Sequence, residues 1–143
     1  MASGAPIVFL DIDGVLVPWD DVQLDNGRVQ LLDGLVTRTG ARVVVSSSWR
    51  ESMSREAIED QLVAAGFSGR LHSMTPIIVG ASRGDEIAAW LEEHAEPDTR
   101  FVILDDSSDV EPFRGRLVQT DEYEGLTPDL VERAVELLGG TDT

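Results

Sequence analysis

The chain has 143 residues, 42% of them apolar, enough for one domain with a proper core. Eleven basic against 27 acidic residues give a net charge of −16, a field that repels the phosphate backbone of an extended nucleic acid. With no cysteine and only two histidines, disulfides, thiolate chemistry and histidine-rich metal sites are excluded, and any metal must be held by oxygen.

Pro6 to Leu10 is a short β-branched apolar run that ends abruptly in acids, the pattern of a buried parallel strand. Gly14 to Gly27 reads as a loop or small hairpin, followed by a helix from Arg28 to about Arg38 with Leu32, Leu35 and Val36 on one face. Ala41 to Val45 is a second strand running into Ser46-Ser47-Ser48. Ser48 and Glu51 fit a capping box, so a helix is expected from Ser48 to about Ala65, with Ser48 as its cap and Ile58 and Leu62 facing the core.

Between Gly69 and Gly80, at least one of the apolar pieces around Leu71 and at Ile77-Ile78-Val79 is expected to be a strand. Ser82 to Asp85 repeats the capping pattern and opens a helix carrying Ile87, Trp90 and Leu91. Arg100 to Leu104 is a further strand ending in Asp105-Asp106, and Arg116 to Gln119 a last short one. Thr127-Pro128 starts the final helix, with Leu130, Ala134 and Leu137 inward.

This alternation implies an α/β fold: a mainly parallel sheet covered on both faces, built as one domain over residues 1–143. No stretch approaches the ~20 apolar residues of a membrane span, and Met1 to Pro6 lacks the basic and apolar regions of a signal peptide. A soluble, cytoplasmic protein that does not engage membranes is expected, its oligomeric state left open.

In parallel sheets, ligands sit at the carboxyl ends of the strands. There the chain places Asp11 and Asp13, then Ser47, then Asp105 and Asp106. Converging carboxylates repel unless a cation lies between them, and an all-oxygen site with few carboxylates suits Mg²⁺. Serine hydroxyls and the amides that open a helix can hold a phosphoryl group, and Arg83 can supply fixed positive charge. All eleven cations are arginine, a residue that clamps phosphate but cannot serve as a base.

Asp11-Ile12-Asp13-Gly14 after an apolar strand, Ser47 after Val43-Val44-Val45, Arg83 opening a helix and Asp105-Asp106 after Phe101 to Leu104 resemble, in order, the four motifs of the haloacid dehalogenase superfamily. The strings Val45 to Arg50, Arg83 to Leu91 and Gly125-Leu126-Thr127 resemble the branch found in Swiss army knife RNA-repair proteins. The resemblance implies a Rossmann-like core and an Mg²⁺-dependent phosphohydrolase. Asp11 would be the nucleophile and Asp13 the general acid and then base. Ser47 and Arg83 would hold the phosphoryl group, with Ser48 and Arg50 as further substrate contacts. Asp11, Asp13 (through its backbone carbonyl), Asp105 and Asp106 would bind the metal.

No stretch has room for an inserted cap domain, so an uncapped, open site is expected. Its substrate would be a phosphorylated small molecule or a nucleic-acid end; Trp19 and Trp49 are able to stack on a base, although such residues are more often packing residues than base platforms. Two other readings stand beside this one. The first is a receiver-like phosphorylation or Mg/phosphate-binding module, although receivers need a lysine and this chain has none. The second is a degenerate binding subunit completed by a partner.

Overall fold

Five strands of the computed structural model are continuous apolar or mixed runs paired in parallel; the structure describes residues 5–18 and 23–139. Strand β1 (Ile7–Leu10) lies at the centre, flanked by β2 (Arg42–Val45) and β4 (Phe101–Asp105), with β3 (Leu71–Met74) and β5 (Leu117–Gln119) at the edges. The order is β3-β2-β1-β4-β5, and every pairing is parallel. The chain therefore winds outward from β1 through β2 to β3, then crosses to β4. That reversal makes the carboxyl ends of β1 and β4 the topological switch point, the crevice where such sheets bind ligands.

Strand pleating sends alternate side chains to opposite faces. Val8, Leu10, Val43, Val45, Val102 and Leu104 pack against helices α1 (Asn26–Thr39), α2 (Arg55–Ala64) and α4 (Pro128–Leu137). Ile7, Phe9, Val44 and Ile103 face Ile87 and Trp90 of the single helix α3 (Arg83–His94). The sheet is covered on both faces, but three helices share one face. Phe9 is fully buried and meets Trp90 edge-on at a centroid distance of 5.5 Å. Burying a side chain of this size stabilises the fold by about 1.5–3 kcal/mol.

Two boundaries differ from the sequence expectation. Helix α1 begins at Asn26 because Asp25 caps it, accepting a hydrogen bond from the Arg28 amide at 2.9 Å. The continuous helix expected from Ser48 to Ala65 is broken into a 3-10 turn (Ser48–Glu51) and α2. Each piece has its own serine cap: the Ser47 hydroxyl accepts from the Trp49 amide at 3.2 Å, and that of Ser54 from the Ala57 amide at 3.1 Å. Ser48 is thus the first residue of the turn, exposed, rather than the cap. Of the two apolar pieces after Gly69, only Leu71–Met74 is a strand; Ile77-Ile78-Val79 is an exposed, non-strand segment.

Candidate active site

The register of the central strands assembles the site. Leu10 pairs with Leu104, and the Asp11 amide extends the ladder by donating to the Leu104 carbonyl at 2.9 Å. This puts Asp11 beside Asp105 at the mouth of the switch point. Oxygen atoms of Asp11, Asp105 and Asp106 all lie within 4.8 Å of one another. Asp11 and Asp105 are buried, and Asp106 is half-buried.

Such a cluster is electrostatically costly. Burial, reinforced by the charge of Asp105, pushes the Asp11 carboxyl from 3.8 up to about 8, despite the opposing pull of Arg83. Burial also raises Asp105. Among the described residues, the cation ion-paired with them is Arg83, whose Nη1 pairs with Asp105 Oδ2 and lies 3.5 Å from Asp11 Oδ1. Although burial works against its charge, Asp105 and Asp11 hold the Arg83 guanidinium above its usual range, so it stays charged. One arginine facing three acids leaves negative charge unbalanced. An oxygen-only donor set with that surplus fits Mg²⁺.

The placement of Arg83 follows from local sequence. Ser82 and Asp85 form a reciprocal capping box that fixes the start of α3. Gly84 lets this start lie directly on the loop after β4: its amide donates to the Asp109 carbonyl at 3.1 Å, and a Cβ there would stand 2.1 Å from the Glu111 carbonyl oxygen. Asp105 is held in turn by the Ser107 amide, 2.9 Å from Oδ1.

Asp13 is exposed and its carboxylate lies outside the cluster of three; Oδ1 accepts a hydrogen bond from Trp49 Nε1 at 3.3 Å. Ser47 is fully buried as the cap of the 3-10 turn, and Ser46 beside it has a buried hydroxyl with no hydrogen-bond partner among protein atoms. Trp49, for which packing is a commoner role than a base platform, packs partly into the core and is tied to Asp13. Trp19 lies outside the described residues.

Arg50 departs furthest from expectation. Its side chain is 5% exposed, ion-paired through Nη2 with the nearly buried Glu86, while Nε donates to Thr75 Oγ1 at 3.3 Å. Glu86 and Gly84 are structural partners the sequence reading missed. The signal for Glu86 was its acid on the inner face of α3, next to Ile87. Gly84 could have been found as a glycine in the first turn of a helix, where it has no local reason to be.

Compared with known families, residues 7–131 match the HAD domain in Swiss Army Knife RNA repair proteins. The chain belongs to the haloacid dehalogenase (HAD) superfamily. Its five-stranded parallel sheet is the Rossmann-like HAD layout, and no cap is present among the described residues. No curated protein and no solved structure matches it significantly. The family supports a HAD-type hydrolase, and HAD proteins generally use Mg²⁺, which the cluster of Asp11, Asp105 and Asp106 is composed to hold. None of the described helices is long and apolar enough to cross a membrane.

Proposed function

We propose that this HAD domain is an Mg²⁺-dependent phosphatase acting on a phosphomonoester through an aspartyl phosphate on Asp11. The observation that carries this reading is the convergence of Asp11, Asp105 and Asp106 within 4.8 Å, with Arg83 Nη1 3.5 Å from Asp11 Oδ1, at the switch point of a parallel sheet.

Asp11, Asp105, Asp106 and the Asp13 backbone carbonyl would hold the metal, whose positive charge keeps Asp11 ionised and offsets that of the phosphoryl oxygens. Asp11 attacks phosphorus, and the bond from phosphorus to the leaving oxygen breaks. Asp13, outside the cluster, protonates that oxygen. A water molecule then attacks phosphorus as Asp13 takes its proton, releasing inorganic phosphate and the free Asp11 carboxylate. Arg83 and the Ser47 hydroxyl, with the amides of the following turn, hold the phosphoryl oxygens throughout. Ser48 is at the rim, whereas Arg50, committed to Glu86, acts by holding the walls of the site.

The substrate is a phosphorylated small molecule, including nucleotides, or a nucleic-acid end. Extended binding along a nucleic acid is disfavoured by the net charge of −16. We place the protein in the cytoplasm, with residues 1–143 forming one domain. Phosphate release from an aryl phosphate in Mg²⁺ tests the reading. Many equivalents released by the wild type and none by a folded Asp11→Asn variant are expected. One stable phosphoryl group per chain would instead favour a receiver-like module, and full activity in Asp11→Asn would overturn the nucleophile.

A further inference from the structure

Between the 3-10 turn, the segment 77–81, the start of α3 and the loop at Ser107 lies a pocket of about 480 Å³. That is within the roughly 300–1,000 Å³ of small-molecule sites. Arg83 lines it and also contacts Asp11 and Asp105, so the pocket adjoins the proposed phosphoryl site.

Its wall is apolar where the fold gains nothing from it. Ile77, Ile78 and Val79 are 53%, 41% and 99% exposed, three consecutive large aliphatics left in water on a non-strand segment. The segment is tethered: the Ile78 amide donates to Glu86 Oε2 at 3.0 Å, and Glu86 is ion-paired with Arg50, which reaches Thr75. The tether contains a second anomaly. Arg50 lines the pocket with its side chain 5% exposed, yet its Nη1 is a buried cationic donor with no hydrogen-bond partner. Nη1 itself has essentially no accessible surface, so Arg50 serves the pocket through the tether that holds its wall.

We propose that this pocket receives the leaving group of the phosphomonoester and that Ile77, Ile78 and Val79 select for a heteroaromatic ring, with Arg50 and Glu86 holding that ledge in place. The proposal rests on the phosphatase reading above and adds the substrate class. A flat ring covers the aliphatic ledge and releases its water, whereas a polyol laid there loses hydration without gaining partners. Glu51 and Asp109, which also line the pocket, repel a second phosphate, so the ligand is a monophosphate of an otherwise neutral ring-bearing alcohol, as nucleoside monophosphates are.

The test compares kcat/KM for nucleoside monophosphates, phenyl phosphate and glycerol phosphate, in wild type and in an Ile77→Ser/Val79→Ser variant. Wild type should favour nucleoside monophosphate over glycerol phosphate by roughly tenfold or more, with phenyl phosphate between them, and the variant should bring that ratio to within about threefold, mainly through KM. Equal kcat/KM for all three in the wild type, or a ratio the variant does not move, overturns the ledge while leaving the phosphatase intact. A ratio that stays put while only the variant elutes as a smaller species assigns the ledge to a second copy of the chain, and also overturns it. Turnover of none of the three overturns the phosphatase reading and this proposal together.

Discussion

The Asp106 carboxylate occupies the space that a side chain on Gly14 would need: a Cβ at Gly14 would stand 2.4 Å from Asp106 Oδ2. Gly14 also has φ +80°, in the left-handed region, and its carbonyl accepts a hydrogen bond from Thr120 Oγ1 at 2.7 Å. The loop after β1 is thus pinned against the acid pair after β4. Gly14→Ala is expected to cost about 1–2 kcal/mol from the backbone alone. It should also displace Asp106 and weaken Mg²⁺ binding by roughly tenfold or more, the order seen when groups supporting a metal site are lost. Urea unfolding and calorimetric titration with Mg²⁺ measure the two effects separately. Unchanged Mg²⁺ affinity would count against Asp106 as a metal ligand.

Arg50 and Glu86 are both nearly buried, 5% and 9% exposed at the side chain. Removing one partner strands the other charge, so Glu86→Ala should destabilise the fold by about 3–5 kcal/mol. It also takes the acceptor from the Ile78 amide. Arg50→Met/Glu86→Leu should recover much of that loss, because two apolar groups of similar volume leave no charge unpaired. Urea midpoints of Arg50→Met, Glu86→Leu and the double variant form the cycle that checks this; strict additivity would show that the pair does not act as a unit.

Where the sequence carried local signals, it was legible. Apolar runs ending in acids located β1 and β4, and with them Asp11 and Asp105. Caps at Ser82 and Thr127 located α3 and α4. The break after Glu51 was missed because two serine caps, Ser47 and Ser54, compete with the Ser48 pattern, and only the fold decides between them. The apolar run at Ile77 to Val79 has the composition of a strand and is none, since composition does not say which segment finds a sheet edge. The pairing of Arg50 with Glu86 was not legible, because the two lie 36 residues apart. Pairing over that distance leaves no trace in local spacing.

Two glycines in helices should respond oppositely to alanine. Gly84 meets the Glu111 carbonyl oxygen at 2.1 Å from a would-be Cβ, so Gly84→Ala must push the start of α3, and Arg83 with it, off the loop after β4. A loss of about 1–3 kcal/mol is expected, together with weaker competitive inhibition by inorganic phosphate. Gly34 lies inside α1 with nothing within 4 Å of a would-be Cβ. Gly34→Ala should stabilise by about 0.5–1 kcal/mol through helix propensity alone. Thermal melts of both variants, with phosphate inhibition constants, decide. A stabilised Gly84→Ala variant would mean that the close approach is not required.

The raised Asp11 carboxyl makes the stability of the metal-free protein depend on pH in a defined direction. Its folded value is about 8 against an ordinary 3.8, so between these values the folded chain holds a proton that the unfolded chain has released. Stability falls wherever the folded state binds more protons as pH rises. The contribution is therefore fully present below about pH 4 and is lost progressively up to about pH 8. Asp11→Asn removes this proton, and because Asp105 interacts with Asp11 the difference in stability between wild type and variant reports the pair: the variant should gain on the wild type by a few kcal/mol between pH 5 and 8, an order-of-magnitude figure. Saturating Mg²⁺ should shrink that gain, because a cation among Asp11, Asp105 and Asp106 stabilises the ionised form that burial opposes. Urea unfolding of both proteins at stepped pH, with chelator and then with Mg²⁺, measures it. A wild type and variant that run parallel across pH 5 to 8 in chelator would show that Asp11 is already ionised, and the case for a cation built on its burial would fall.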